Sequence, residues 1–159
     1  MIHNAPCFIA GTEVSLEGGD SKNIEDVIPG DRVITYNHES ETFEVKTVIT
    51  VLQKLVNKVI EYTLSNGTLL TGTEDHPIYI KEKGYASFNP ILTLEDSSLE
   101  VKQVEVGDEV LTEHTESVTI TNIEEIEGEV LVYNLDNVKD NHNFLANSVV
   151  VHNRAPILK

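Results

Sequence analysis

The chain has 159 residues, 40% hydrophobic and 24% charged, which is enough for one well-cored domain and too apolar for wholesale disorder. Its 11 Lys and Arg face 27 Asp and Glu, and a net charge of -16 repels phosphate backbones and anionic lipid, so neither a nucleic-acid nor a membrane partner is expected. No apolar run approaches the roughly 20 residues that span a bilayer, and the N-terminus lacks the basic start and apolar core of a signal peptide, so a cytoplasmic, reducing setting is expected unless a larger parent protein dictates another.

Taken in chain order, six residues precede Cys7, which opens the segment 7–14 (CFIAGTEV). As the sole cysteine it cannot form an intramolecular disulfide, which leaves an inert buried thiol or a nucleophile. β-Branched residues then alternate with polar ones over 32–36, 45–51, 58–64, 117–121 and 129–133, and each run predicts a strand. Asn66-Gly67, between 62–64 and 68–71, predicts a type I′ hairpin, whose two central positions both need φ > 0. Gly84, Pro90 and the polar run 96–98 break the strand pattern, so 81–100 reads as a loop with room for one short element. The chain is all-β.

Two stretches repeat. Residues 27–33 (VIPGDRV) match 104–110 (VEVGDEV) in their Val, Gly-Asp and Val positions, and 58–64 (KVIEYTL) match 129–135 (EVLVYNL) in Tyr and Leu. A histidine segment follows each copy in the same order, 73–77 (TEDHP) and 142–147 (HNFLAN). Three matches in register predict two related β halves about a pseudo-two-fold axis, although Gly-Asp turns and Val-rich strands recur in any all-β protein.

The C-terminal pattern is chemical. Asn153 follows His152 and the stiff run 149–151, and an asparagine amide that attacks its own carbonyl expels everything after it as it closes to a succinimide. His152 can give a proton to the leaving amine. The histidine segments have plain readings too: Thr73-x-x-His76-Pro77 as a threonine-capped turn, and His142-Asn143 as a loop that satisfies buried amides with Phe144 as a core anchor. His3, His38 and His114 lack a motif and read as surface residues. The close-spaced ligand pairs of a structural zinc site are missing, so no metal and no cofactor is expected.

On these residues the chain resembles the Hint domain, the self-processing module shared by inteins, bacterial intein-like domains and Hedgehog processing domains. Segment 7–14 resembles the first splicing block, Thr73-x-x-His76 the Thr-x-x-His block, and 142–153 the paired C-terminal blocks. The resemblance runs from Cys7 to Asn153 and implies a flattened, horseshoe-like β fold with internal pseudo-symmetry. It implies that residues 7–153 form one minimal domain without a homing endonuclease, with 1–6 and 154–159 as flanking residues, and that it acts once on its own polypeptide as a monomer. Cys7 would attack the carbonyl of Pro6, with Thr73 and His76 assisting. Asn153 would cyclise with His152 as proton donor and His142 as helper, and so break the bond to Arg154.

The pattern departs from the family in three places. Arg154 stands where splicing needs Cys, Ser or Thr, and a guanidinium is no usable nucleophile, so cleavage is expected over ligation. Asn134 follows Tyr133 where many inteins have an acid, so either Asp136 takes that role through a bulge or no carboxylate does. Pro6 fixes φ beside the first scissile bond and is expected to slow that step. An inactive Hint fold serving as an interaction module, and a Cys7–His76 thiol hydrolase acting on other proteins, are the competing readings. Hedgehog-type sterol transfer would leave His152-Asn153 without a purpose.

Overall fold

The alternating runs do become strands, joined into longer ones than their separate signals suggest. The computed structural model describes residues 6–153. Its first half contains β1 (Phe8–Ile9), β2 (Glu13–Ser15), β3 (Ser21–Asn23), β4 (Arg32–Asn37), β5 (Thr42–Leu64) and β6 (Leu69–Gly72). The second contains β7 (Ile78–Ile80), β8 (Gly84–Ser87), the helix α1 (Pro90–Ser97), β9 (Lys102–Gln103), β10 (Glu109–Val110), β11 (Val118–Val138), β12 (Asn143–Ala146) and β13 (Val149–His152). All pairings are antiparallel except β8 with β9. No helix among the described residues is long and apolar enough to cross a membrane.

The runs 45–51 and 58–64 are one 23-residue strand, β5, and 117–121 and 129–133 fall in or beside the 21-residue β11. The linking residues 52–57 keep the alternation, with Leu52, Lys54 and Val56 half-buried and Gln53, Leu55 and Asn57 exposed. Two such strands zip together from Ile120↔Leu64 to Val138↔Val48, with register breaks after Ile120, Glu127, Asn134 and Asn137. Segment 81–100 is more ordered than expected and holds both β8 and α1. Asn89 caps α1 by accepting the Leu92 N–H, and Pro90 sits in the first turn, where a missing N–H costs nothing.

The hairpin at 65–68 is also of another type. Gly67 alone has positive φ (89°), its N–H donates to the Leu64 carbonyl, and the Leu64 N–H donates to the Thr68 carbonyl across the three residues 65–67. Asn66 instead turns its side chain back to accept the Thr68 N–H at 3.0 Å, which holds it out of the left-handed region. The two-residue turn with both φ positive lies at Asn147 (49°) and Ser148 (73°), between β12 and β13.

The repeat is reproduced bond for bond. Gly30 and Gly107 have φ of 98° and 99°, and each donates its N–H at 2.8 Å to the facing long strand, at Val48 and Ile120. Asp31 and Asp108 each accept the N–H three residues back, from Ile28 at 3.0 Å and Glu105 at 2.8 Å, and each receives a lysine, Lys22 at 2.7 Å and Lys83 at 2.8 Å. Two corners built alike, each hydrogen-bonded to one of the two paired long strands, are what a pseudo-two-fold axis requires. Phe8, Tyr62, Leu70, Ile120 and Phe144 pack between the halves in one core.

Candidate functional site

Cys7 lies just before β1, which is wedged between β6 and β11 through Phe8↔Gly72 and Phe8↔Tyr133. Thr73 holds both backbone groups of Cys7: the Cys7 N–H donates to Thr73 Oγ1 at 2.9 Å, and the Thr73 N–H donates to the Cys7 carbonyl at 2.8 Å. Glycine at 72 makes this approach possible, because a Cβ there would stand 2.7 Å from the Cys7 oxygen and 2.6 Å from the Phe8 ring. The thiol-bearing residue is fully buried with Val59 and Val132, so it sits in a dry, apolar wall beside a hydrogen-bonded backbone.

Three residues on, the chain turns with the His76 N–H donating to the Thr73 carbonyl at 3.2 Å. The His76 ring lies on Phe8 with centroids 3.9 Å apart. Its Nε2 is 2.9 Å from the His152 carbonyl, and because a carbonyl only accepts, Nε2 carries the proton and Nδ1 presents the lone pair. Nδ1 meets no partner among the described residues. Burial pushes this imidazole down to about 3, against the His152 carbonyl and the Cys7 backbone, which favour the charged form. His76 is therefore a neutral ring placed between the two ends of the chain.

At the C-terminal end, the Asn153 N–H donates to the His142 carbonyl at 3.0 Å, and Asn153 Nδ2 donates to the main-chain oxygen of Asp136 at 3.1 Å. Asn153 is 1% exposed, and its Oδ1 has no partner among the described residues. His152 Nδ1 hydrogen-bonds the Asn153 carbonyl, the group that succinimide closure would attack. Burial pushes His152 down to about 4, with His142 and His38 adding to the effect. Its backbone is tied to Pro77, and its ring meets the edge of Tyr85 at 4.9 Å.

The expected residues thus gather around one turn. Cys7, Thr73 and His76 form a continuous chain of contacts that reaches His152 and, through it, Asn153. His142 stands at φ 54° and contributes its carbonyl, while its Nδ1 is buried without a partner among the described residues. Asp136 does sit in a register break of β11, as a bulge requires; it reaches Asn153 through its backbone oxygen, and its Oδ2 accepts from Thr50 at 3.4 Å. Asn134 is 1% exposed, and neither of its amide atoms has a partner among the described residues. Pro6 is buried, whereas Arg154, His3 and the flanks 1–5 and 154–159 lie outside the described residues.

Several neighbours were not legible in the sequence. Tyr85 on β8 places its hydroxyl 2.8 Å from His38 Nε2 and accepts from Asn143 Nδ2 at 3.3 Å. His38 is exposed as expected, yet it belongs to this aromatic support of His152. Asn143 clamps β12 to β4 by accepting the Tyr36 N–H and donating to the Tyr36 carbonyl. Asp75, inside the Thr73–His76 turn, is a buried carboxyl at 2% exposure. Among the described residues no three His, Cys, Asp or Glu side chains gather as a metal ion would require.

Residues 8–115 match the family model described as the Ataxin-1 and HBP1 module (AXH). Among solved structures, the chain is similar to a bacterial intein-like domain from Clostridium thermocellum, at 28% identity and a TM-score of 0.76, over 92% of this chain and 98% of that one. It is similar over 99% of its length to the whole of an Ssp DnaB mini-intein variant, at 18% identity and a TM-score of 0.77. A DnaB intein from Synechocystis sp. superposes at a TM-score of 0.73 and 19% identity, over 94% of this chain and 99% of that one. The chain belongs to the AXH family and to the Hint/intein superfamily. No curated protein matches it in sequence. The AXH match leaves out Cys7 and the segment carrying Asp136, His142, His152 and Asn153, whereas the likeness to Hint/intein structures spans nearly the whole chain.

Proposed function

We propose that this Hint/intein chain processes itself, cutting the Pro6–Cys7 and Asn153–Arg154 peptides once each and releasing the flanks without joining them. The observation that carries this reading is the single turn at 73–76: Thr73 binds both backbone groups of Cys7, and His76 binds the carbonyl of His152. In the first cut the Cys7 sulfur, as thiolate, bonds to the Pro6 carbonyl carbon, the C–N bond to Cys7 breaks, and the Cys7 nitrogen takes a proton. Water or an added thiol then resolves the thioester. In this reading Thr73 Oγ1 holds the departing nitrogen, and His76 takes up a proton during the reaction and passes it on.

In the second cut Asn153 Nδ2 bonds to its own carbonyl carbon, loses a proton, and expels the Arg154 nitrogen, which gains one. His152 polarises the attacked carbonyl, and the Asp136 oxygen holds the attacking amide. The bacterial intein-like domain from Clostridium thermocellum supports this assignment by likeness, and Arg154 in place of an acyl acceptor favours cleavage over ligation. The buried, unpartnered Asn134 is the one observation favouring an inactive fold.

Intact-mass measurement of the purified chain over time tests the reading. Loss of 154–159 is expected to vanish in Asn153→Ala and persist in Cys7→Ala. Hydroxylamine or a small thiol is expected to release 1–6 only when Cys7 is present. An unchanged mass under every condition would leave the inactive fold.

A further inference from the structure

We propose that Asn134 donates the hydrogen bond that holds the Pro6 oxygen while Cys7 attacks the carbonyl carbon beside it. The first scissile peptide is then gripped from both flanks, by Thr73 on its nitrogen and by Asn134 on its oxygen. The proposal rests on the reading of Cys7 as the nucleophile.

Its basis is the direction of one peptide. β1 is wedged between β6 and β11, and Cys7 turns its N–H and its carbonyl toward Thr73, just past β6, at 2.9 and 2.8 Å. The Pro6–Cys7 peptide is trans, and a planar trans peptide points its C=O opposite to its N–H. The Pro6 oxygen therefore faces β11. Register fixes what stands there: Phe8 pairs with Tyr133 and Ile9 with Val132, so one step back along the antiparallel pair Cys7 is opposite Asn134.

The Asn134 side chain lies on the thiol's face of that strand. Val132, two residues back and so on the same face, packs with Cys7 and Val59 in one cluster. Leu52, directly opposite Asn134 on β5, packs against that cluster too. These aliphatic neighbours offer an amide nothing. Asn134 is 1% exposed, and neither Nδ2 nor Oδ1 has a partner among the described residues. A buried amide left unsatisfied destabilises the fold, and the tetrahedral state of the reaction is where this one finds its use. As the Cys7 sulfur bonds to the Pro6 carbonyl carbon, the π pair moves onto the oxygen, and Nδ2 meets that charge in apolar surroundings with a donor already in place. When the C–N bond to Cys7 breaks, the pair returns to the carbonyl and the thioester remains. A carboxylate at this position would oppose the same charge.

The test follows thiol-triggered release of 1–6 in an Asn153→Ala background, with Asn134→Leu and Asn134→Asp beside the parent and denaturant melts on all three. Leucine keeps the amide's branched shape and lacks its donor. Asn134→Leu is expected to slow release on the order of 10²- to 10³-fold, the range for one lost oxyanion donor, while its melting midpoint holds or rises. Release of 154–159, followed in a Cys7→Ala background, is expected to slow far less. The carboxyl of Asn134→Asp donates only while protonated, so the rate of this variant relative to the parent is expected to fall as pH rises through the carboxyl's titration. Equal slowing of both cuts, release of 1–6 at the parent rate in Asn134→Leu, or a pH-independent ratio for Asn134→Asp overturns the proposal and leaves the Cys7 reading standing. Absence of release from the parent under every condition defeats the Cys7 reading and this proposal together.

Discussion

The two ends of the chain are held in opposite ways. Cys7 is gripped by its backbone, with both N–H and carbonyl on Thr73, while its side chain rests among Val59 and Val132. Asn153 is gripped by its side chain as well as its backbone, with Nδ2 on Asp136, the carbonyl on His152 and the N–H on His142. In the proposed reaction the first arrangement would fix the peptide to be broken and leave the thiol as nucleophile. The second would fix attacking and attacked groups together and leave proton movement to an imidazole. One end therefore depends on how closely strands approach, the other on a single ring.

His152→Gln is the change that separates them most. It removes the ring that touches the Asn153 carbonyl, and release of 154–159 is expected to slow by roughly 10² to 10⁴-fold, the range for a lost acid or base. Thiol release of 1–6 should keep its rate, and electrophoresis of both fragments from one sample reads the contrast. Gly72→Ala attacks the other end. Its methyl must displace the Cys7 carbonyl or the Phe8 ring, which is expected to cost about 1–3 kcal/mol of stability, as overpacking does. It should slow release of 1–6 by about tenfold or more, in line with the penalty for misplaced reacting groups. Release of 154–159 should survive, as scored by denaturant melts and the same fragment assay.

The smallest effect is on stability against pH. His76 and His152 stay neutral in the folded chain down to about 3 and about 4, while an unfolded histidine takes its proton near 6.5. Between about pH 4 and 6.5 the unfolded chain binds these protons and the folded chain does not, so their contribution is present above 6.5 and is lost as pH falls. Asp75 opposes them, because the folded state keeps its proton up to about 7. Two histidines against one carboxyl leave Tm rising with pH over this window. Asp75→Asn should steepen the rise, and a calorimetric Tm series that stays flat in both proteins would contradict the assignment.

Much of this was legible in the residues. The Gly30-Asp31 and Gly107-Asp108 corners were readable because a positive φ demands glycine and the following carboxylate finds a fixed set of partners. Cys7, Thr73, His76, His152 and Asn153 were readable because local motifs carry them. Tyr85 was not, since the stretch that contains it has no long period and takes its order from tertiary contacts such as Thr93 with Asp75. The turn after Leu64 departs from the expected type I′ because the side chain of Asn66 found the Thr68 N–H, a choice that spacing alone does not reveal. Asp136 lies in a register break of β11, where one of the two alternatives left open by the sequence would put it, yet it meets Asn153 through its main chain, and sequence reading tells side-chain chemistry far better than carbonyl direction.

Residues 73–76 touch Cys7 at one proposed cut and His152, the neighbour of Asn153, at the other, and on the proposed reading this has a kinetic consequence. Once the Pro6–Cys7 bond has gone, the Cys7 nitrogen changes from an amide donor into a free amine, and its grip on Thr73 must be remade. Three residues away in the same turn, His76 must adjust against the His152 carbonyl. The two events then form a sequence with memory, in which the first to occur alters the waiting time of the second.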